Sequence, residues 1–406
     1  MEGAEFRRNV AGTMLINGDS GQSLGGYTGH SRITIEGGLW NVRGTTADLT
    51  ASAMCISIGH ATDIVIRDLE IRDTPGFHAV ELNSTNHATI TNCRFRGYVD
   101  PGGRDFSEAL QLDLAKSNAV FGGFGPYDNT ETKDVTISGN TFVSCGSGVR
   151  IRTVIVGDPE DTKLPDSTQT NASQSMRNIA VTGNSFRNGG GYDNVIAAQG
   201  ETSGTILNLA ITGNVIDGTT GNQSGIRLHR VSRATVAHNV ISNVDNTGIP
   251  TEAQNNTTIS GNVVWTAGDH GITMVASDYS NPIGNTIRDA GIFVNGPGTD
   301  IQVRDNFVDG ANRNNSSSYA IRFSTTAVAG IAVSGNKCRP GSTPTTKAVR
   351  GLSITSGNTG VHRFGNDCRG TWSGAGGQGI DDDSTSPDKT ATRHRRRSRV
   401  TRKAIE

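Results

Sequence analysis

Short alternations of apolar and polar residues recur along this chain in one repeated phrase. It reads VTISGNTF from Val135, IAVTGNSF from Ile179, LAITGNVI from Leu209, ATVAHNVI from Ala234, TTISGNVV from Thr257, IQVRDNFV from Ile301 and IAVSGNKC from Ile331. Period-two alternation predicts a short strand that buries one face. Asparagines fall at Asn140, Asn184, Asn214, Asn239, Asn262, Asn285, Asn306 and Asn336, with spacings of 44, 30, 25, 23, 23, 21 and 30 residues. A second set of alternating segments is interleaved with the first: HAVELN, EALQLD, GVRIRT, GIRLHR, GIPTEA, GITMVA, GIFVNG and YAIRFS. Two or three short strands per repeat, each repeat stacked on the last, predict an all-β fold, a single-stranded right-handed parallel β-helix.

A buried asparagine amide must find partners. In a stack of coils it has them: the turn backbone and the asparagine of the next rung. These residues are therefore read as scaffold. Gly38, Leu69 and Cys93 hold the same place in the earlier segments ITIEGGLW, IVIRDLEI and ATITNCRF. Coils are expected from about residue 10 to Cys368, giving a β-helix over 1–370. Residues 371–406 turn Gly/Ser-rich, then acidic, then basic, the composition of a disordered tail.

Composition narrows the function classes. The 37 basic residues balance 38 acidic ones, which argues against nucleic acid as the main partner. No apolar run approaches the ~18 residues that span a membrane, and MEGAEFRRNVAG lacks the apolar core of a secretory signal. Five cysteines, Cys55, Cys93, Cys145, Cys338 and Cys368, stand far apart without a C-x-x-C pair and read as buried thiols.

Coil length locates the candidate chemistry. Insertions follow Asp113, Arg152 and Ala197 at what should be one corner of the stack, and a smaller one precedes EALQLD. Loops beside a rigid sheet are where binding sites are placed. Alternation points Val80, Leu82, Leu110, Leu112, Val149 and Ile151 inward. The outward columns are then Glu81, Gln111, Arg150 and Asn83, Asp113, Arg152, with His78 and Glu108 one step earlier and Arg227, His229 and Glu252 further down.

Rungs ~4.8 Å apart and strand residues ~6.6 Å apart put Glu81 and Asp113 on a diagonal of roughly 8 Å. That falls within the ~6.5–9.5 Å associated with inverting glycosidases. Asp113 is the expected base and Glu81 the acid, with His78 and Glu108 as alternates. Phe121, Phe124 and Tyr127 of the first insertion are expected either to stack on sugar faces or to form the loop's own core. β-Elimination of a uronate polymer fits the same stripe, with Arg150 or Arg152 over the carboxylate. No cofactor is required for hydrolysis, but Ca²⁺ at Asp100, Asp105 and Asp128 would serve elimination.

The ISGN-type repeats resemble the pectate-lyase-like right-handed β-helix superfamily over about 350 residues. Polysaccharide lyases, glycoside hydrolases, sugar epimerases and bacteriophage tailspikes share that scaffold, so the resemblance implies fold and not reaction. The polygalacturonase motif set and the pectate lyase W-x-D-H signature are absent, and no catalytic residue is carried over. The resemblance implies an extracellular or virion-associated protein, and together with the polar stripe it gives the expectation of a protein that binds and cleaves polysaccharide, a hydrolase or lyase such as a tailspike depolymerase. The alternative it leaves open is a non-catalytic adhesin or tail fibre. A homotrimer is implied by the resemblance alone.

Overall fold

The computed structural model describes residues 3–99, 108–118, 121–143, 154–157, 176–190, 194–200, 206–220, 224–311, 319–324, 328–341, 348, 350–370, 372 and 379–382. Three long parallel sheets run the length of the stack, two of 12 strands and one of 13. Through most of the chain every third strand returns to the same sheet, and in the later coils Gly298–Thr299 and Val328–Ala329 add a short two-stranded sheet, which makes the chain a parallel β-helix of triangular coils. One sheet holds the repeated phrase, as in Lys133–Ser138 and Ile206–Thr212. A second holds the strands just past each asparagine, as in Thr141–Val143. The third, here the groove sheet, holds Val80–Asn83, Leu110–Asp113, Ser224–His229 and their successors.

Register explains the sequence spacing. Val135, Ile179, Leu209 and Ala234 occupy one column of paired positions, so insertions leave the ladder intact and swell only the corners. Inward side chains stack like on like. Phe95, Phe142 and Phe186 lie ring over ring with centroids 4.7 and 4.6 Å apart. Such offset contacts add to the area they bury.

The asparagine ladder is fully bonded. Asn214 donates its backbone N–H and its Nδ2 to Oδ1 of Asn239, both at 3.0 Å, and a second Nδ2 hydrogen goes to Val181 O at 2.9 Å. The pattern repeats from Asn140 down to Asn336, and Asn366 adds a rung not picked out from the sequence. Gly139, Gly183, Gly213 and Gly261, each just before a ladder asparagine, have φ between 62 and 66°. That left-handed turn is why glycine recurs in the phrase. Cys93 lies on the same ladder, its N–H donating to Asn140 Oδ1 at 2.9 Å.

Two boundaries differ from expectation. The strand beside Leu110–Asp113 is Val154–Gly157, not GVRIRT: Gln111 pairs with Ile155 and Leu112 with Val156. The physical reason is one of pattern: VIVG is an uncharged apolar run, which forms a strand without any alternation to mark it. VRIR would bring two guanidinium groups under the loops. At the far end, Ile380–Asp382 adds a strand to the groove sheet beyond Cys368, pairing with Leu352–Ile354. The rest of the expected tail, 383–406, lies outside the described residues.

Candidate functional site

The groove sheet brings His78, Glu81, Asn83, Glu108, Gln111 and Asp113 together on two adjacent rungs. Glu81 faces Gln111 and Asn83 faces Asp113, as the sequence predicts. Their exposure does not follow prediction. All six are buried, Glu81 and Asp113 to 1%. The outward face of this stretch is roofed, and the polar side chains bond among themselves. Ser57 Oγ donates to Glu81 Oε2 at 2.9 Å. Gln111 Nε2 donates to Asp113 Oδ2 at 3.1 Å, and the Leu114 N–H donates to Oδ1 at 2.6 Å.

His78 is held at both ends of its chemistry. The Glu108 N–H donates to Nδ1 at 3.2 Å, and Glu108 Oε2 lies 3.3 Å from the same nitrogen. Nδ1 accepts when the ring is neutral and donates to the carboxylate when it is protonated. Both amide atoms of Asn83, Gln111 Oε1 and Glu108 Oε2 are buried without a hydrogen-bond partner. Several ionisable groups and orphaned amide atoms under one roof are costly to bury.

Of the two roles expected for the loop aromatics, Phe121 and Phe124 take the second, the loop's own core. Phe121 and Phe124 are 0% and 1% exposed and form a small core with Ala115, Leu24 and Tyr127. Their rings meet edge to face at 5.2 Å and pack against the buried His60, whose Nδ1 lies 3.0 Å from Gly26 O. These two rings hold the loop down and have no face left for a sugar. Tyr127 stays at the rim and donates from its hydroxyl to Asn118 Oδ1 at 3.0 Å.

Asp128 is spent in the same loop. Burial alone would raise its carboxyl, but hydrogen bonds from Gly26 and Thr130 outweigh that and hold it below the usual range. Arg150, Arg152, Asp100 and Asp105 lie outside the described residues, as do the later insertions at 158–175 and 201–205. Among the described residues no three His, Cys, Asp or Glu side chains stand close enough to hold a metal ion.

Further down the same sheet the face opens. A groove of about 290 Å³ is lined by Asn194, Ser224, Arg227, Thr247, Pro250, Glu252 and Thr273 among others. Arg227 Nη2 lies 3.6 Å from Glu252 Oε2. His229 is paired in register with Glu252, and burial lowers its pKa below the ordinary imidazole value, against the pull of that carboxylate.

The outward column continues from Pro250 to Thr273, Phe293 and Arg322. The His270 ring lies over Phe293 at 5.0 Å, and the Arg322 guanidinium sits 5.6 Å from the Phe293 ring and 5.0 Å from that of Tyr319. Arg322 Nε has no hydrogen-bond partner. Arg227 and His229 were legible as a polar stripe. Phe293, Arg322 and Tyr319 were not, because GIFVNG and YAIRFS carry no charge cluster and no insertion to mark them.

The sequence matches the family described as periplasmic copper-binding protein (NosD) over residues 133–341, just over half of the chain. No curated protein matches it. Among solved structures, PfbA, a surface adhesin of Streptococcus pneumoniae, is similar at 14% identity with a TM-score of 0.53, covering 82% of this chain and 76% of its own. A variant of the periplasmic alginate epimerase AlgG is similar at 12% identity, TM-score 0.48, with 88% and 75% covered. Tailspike protein 3 of bacteriophage CBA120 is similar at 12% identity, TM-score 0.43, with 94% and 51% covered. At these identities the likeness is one of fold: a right-handed parallel β-helix.

Proposed function

This chain belongs to the NosD family, and we propose that it binds an extended glycan along the open face of its groove sheet. The observation that carries the reading is the outward column Arg227, Pro250, Thr273, Phe293 and Arg322. Five rungs at ~4.8 Å make a track of about 19 Å. Its upper part is a groove of hydroxyls, amides and one ion pair, suited to sugar hydroxyls. Its lower part is an aromatic platform beside the Arg322 guanidinium, suited to a sugar face and an anionic substituent.

PfbA, a surface adhesin, is in keeping with a binding role for this scaffold and assigns no ligand here. A periplasmic or extracellular setting fits the family description and a glycan ligand, and no helix among the described residues is long and apolar enough to cross a membrane. Copper is a different matter. The imidazole and thiolate ligands it favours do not gather in threes among the described residues. Those residues do not fit the metal, and no step is derived through it.

Titration of a panel of neutral and uronate oligosaccharides tests the reading. Arg322→Ala should weaken uronate binding tenfold or more, and Thr273→Trp should block both classes. Unchanged affinities in both variants would remove the groove from the account.

A second reading is favoured by the buried group His78, Glu81, Glu108 and Asp113. Ionisable clusters of this kind mark catalytic sites more often than chance. On it the roof opens and Asp113 acts as base with Glu81 as acid. If Asp113→Asn cleaves glycans as fast as the unaltered protein, that assignment fails.

A further inference from the structure

Cys338 and Cys368 come from different coils, thirty residues apart, and the helix stacks them. Asn336 and Asn366 are consecutive ladder residues, bonded through Asn336 Nδ2 to Asn366 Oδ1 at 2.9 Å. Each cysteine stands two places after its asparagine, so both fall in one column. The backbone agrees: Lys337 pairs with Asp367, and the Cys338 N–H donates to Asp367 O at 2.9 Å. Cys338 is fully buried and Cys368 partly so, both against the same core. The neighbouring Cys368 thiol, and burial after it, hold the Cys338 thiol well above its ordinary pKa.

Paired residues of adjacent parallel strands lie ~4.8 Å apart at Cα, inside the 4.4–6.8 Å that a disulfide spans. The Cys368 side chain is also held in place. A Cβ added at Gly351 would come within 2.7 Å of the Cys368 Cβ, and one at Gly379 within 3.0 Å, so two glycines make its socket. Trp372 closes it, donating from Nε1 to Cys368 O at 3.0 Å.

We propose that Cys338 and Cys368 are a disulfide site that latches the last full coil of the β-helix. The chemistry needs a disulfide oxidant, for which oxidised glutathione serves. The thiolate of Cys368, the more exposed sulfur, attacks the glutathione disulfide and expels one glutathione thiolate. Cys338, giving its proton to the glutathione thiolate released in the first step, then attacks the Cys368 sulfur of the mixed disulfide and expels the second. The sum is two cysteine thiols and one glutathione disulfide going to one protein disulfide and two glutathiones. The bond ties the open end of the solenoid, where the last coil has only one neighbour to hold it.

The full chain is purified under reductant, incubated with oxidised glutathione, blocked with N-ethylmaleimide and digested with trypsin without reduction. The expected product is the peptide 338–347 joined to the peptide 364–369, split by reductant. Melting of the same preparation should rise by a few degrees on oxidation, and Cys368→Ser should abolish that rise. N-ethylmaleimide on both cysteines after oxidation, or Cys338 joined instead to Cys145, overturns the proposal. A disulfide that forms without raising the melting temperature overturns the latch.

Discussion

Asn239→Ala probes the ladder where it is most regular. The side chain of Asn239 receives the backbone N–H and Nδ2 of Asn214 at 3.0 Å, and donates to Ile211 O and Asn262 Oδ1 at 2.9 Å. Truncation leaves the Asn214 N–H and the Ile211 carbonyl without these partners. Asn262 Oδ1 keeps the Asn239 N–H at 3.0 Å, and Asn214 Nδ2 keeps Val181 O. Two buried groups orphaned at about 1–3 kcal/mol each give a loss of about 2–6 kcal/mol. Ser242→Ala is the control, since its hydroxyl donates to Asp217 Oδ1 on the exposed face, at 2.9 Å, and should cost under about 0.5 kcal/mol. Urea unfolding followed by circular dichroism reads both, and hydrogen exchange should show loss of protection centred on strands Ile206–Thr212 and Val240–Val244. A cost for Asn239→Ala no larger than the control's would refute the ladder as a stabilising device.

Three further outcomes follow from the geometry. A side chain at Gly59 would run into the Phe121 ring, so Gly59→Val should lift the loop over His60 and make residues 114–131 a site of limited proteolysis while the melting temperature moves little. His229 has a folded pKa below the ~6.5 of an unfolded histidine, so the unfolded chain binds more protons in that window. Stability should therefore be full above about pH 6.5 and fall as the pH drops through the window, and His229→Gln should flatten that slope. Glu108→Ala removes the buried carboxylate 3.3 Å from His78 Nδ1 and leaves a void there, so thermal melting should show a lower transition temperature than in the unaltered protein.

The fold was legible because its constraint is repeated. A buried amide needs a partner at every rung, and a column of inward residues must alternate, so each coil restates the rule. The register of the groove sheet was readable through Leu110–Asp113 and failed at the next rung, because GVRIRT shows the period-two pattern and the continuous apolar run of Val154–Gly157 does not. Glu81 and Asp113 were placed on the right rungs, but their burial was not foreseen, because a roof built from distant segments such as Leu24 and Phe121 leaves no local pattern. That Cys338 and Cys368 fall in one column was not read from the sequence, where they stood as separate buried thiols. The column shows only once Asn366 is seen to extend the ladder.

The central claim is that the groove sheet between Arg227 and Arg322 holds the glycan. Hydrogen exchange with and without a bound uronate oligosaccharide tests it most directly. The account predicts slowed exchange in Ser224–His229, Ile249–Glu252, Ile272–Val275, Ile292–Asn295 and Tyr319–Phe323, with the other two sheets unchanged. Protection confined to Val80–Asn83 and Leu110–Asp113, or to another sheet, would contradict it.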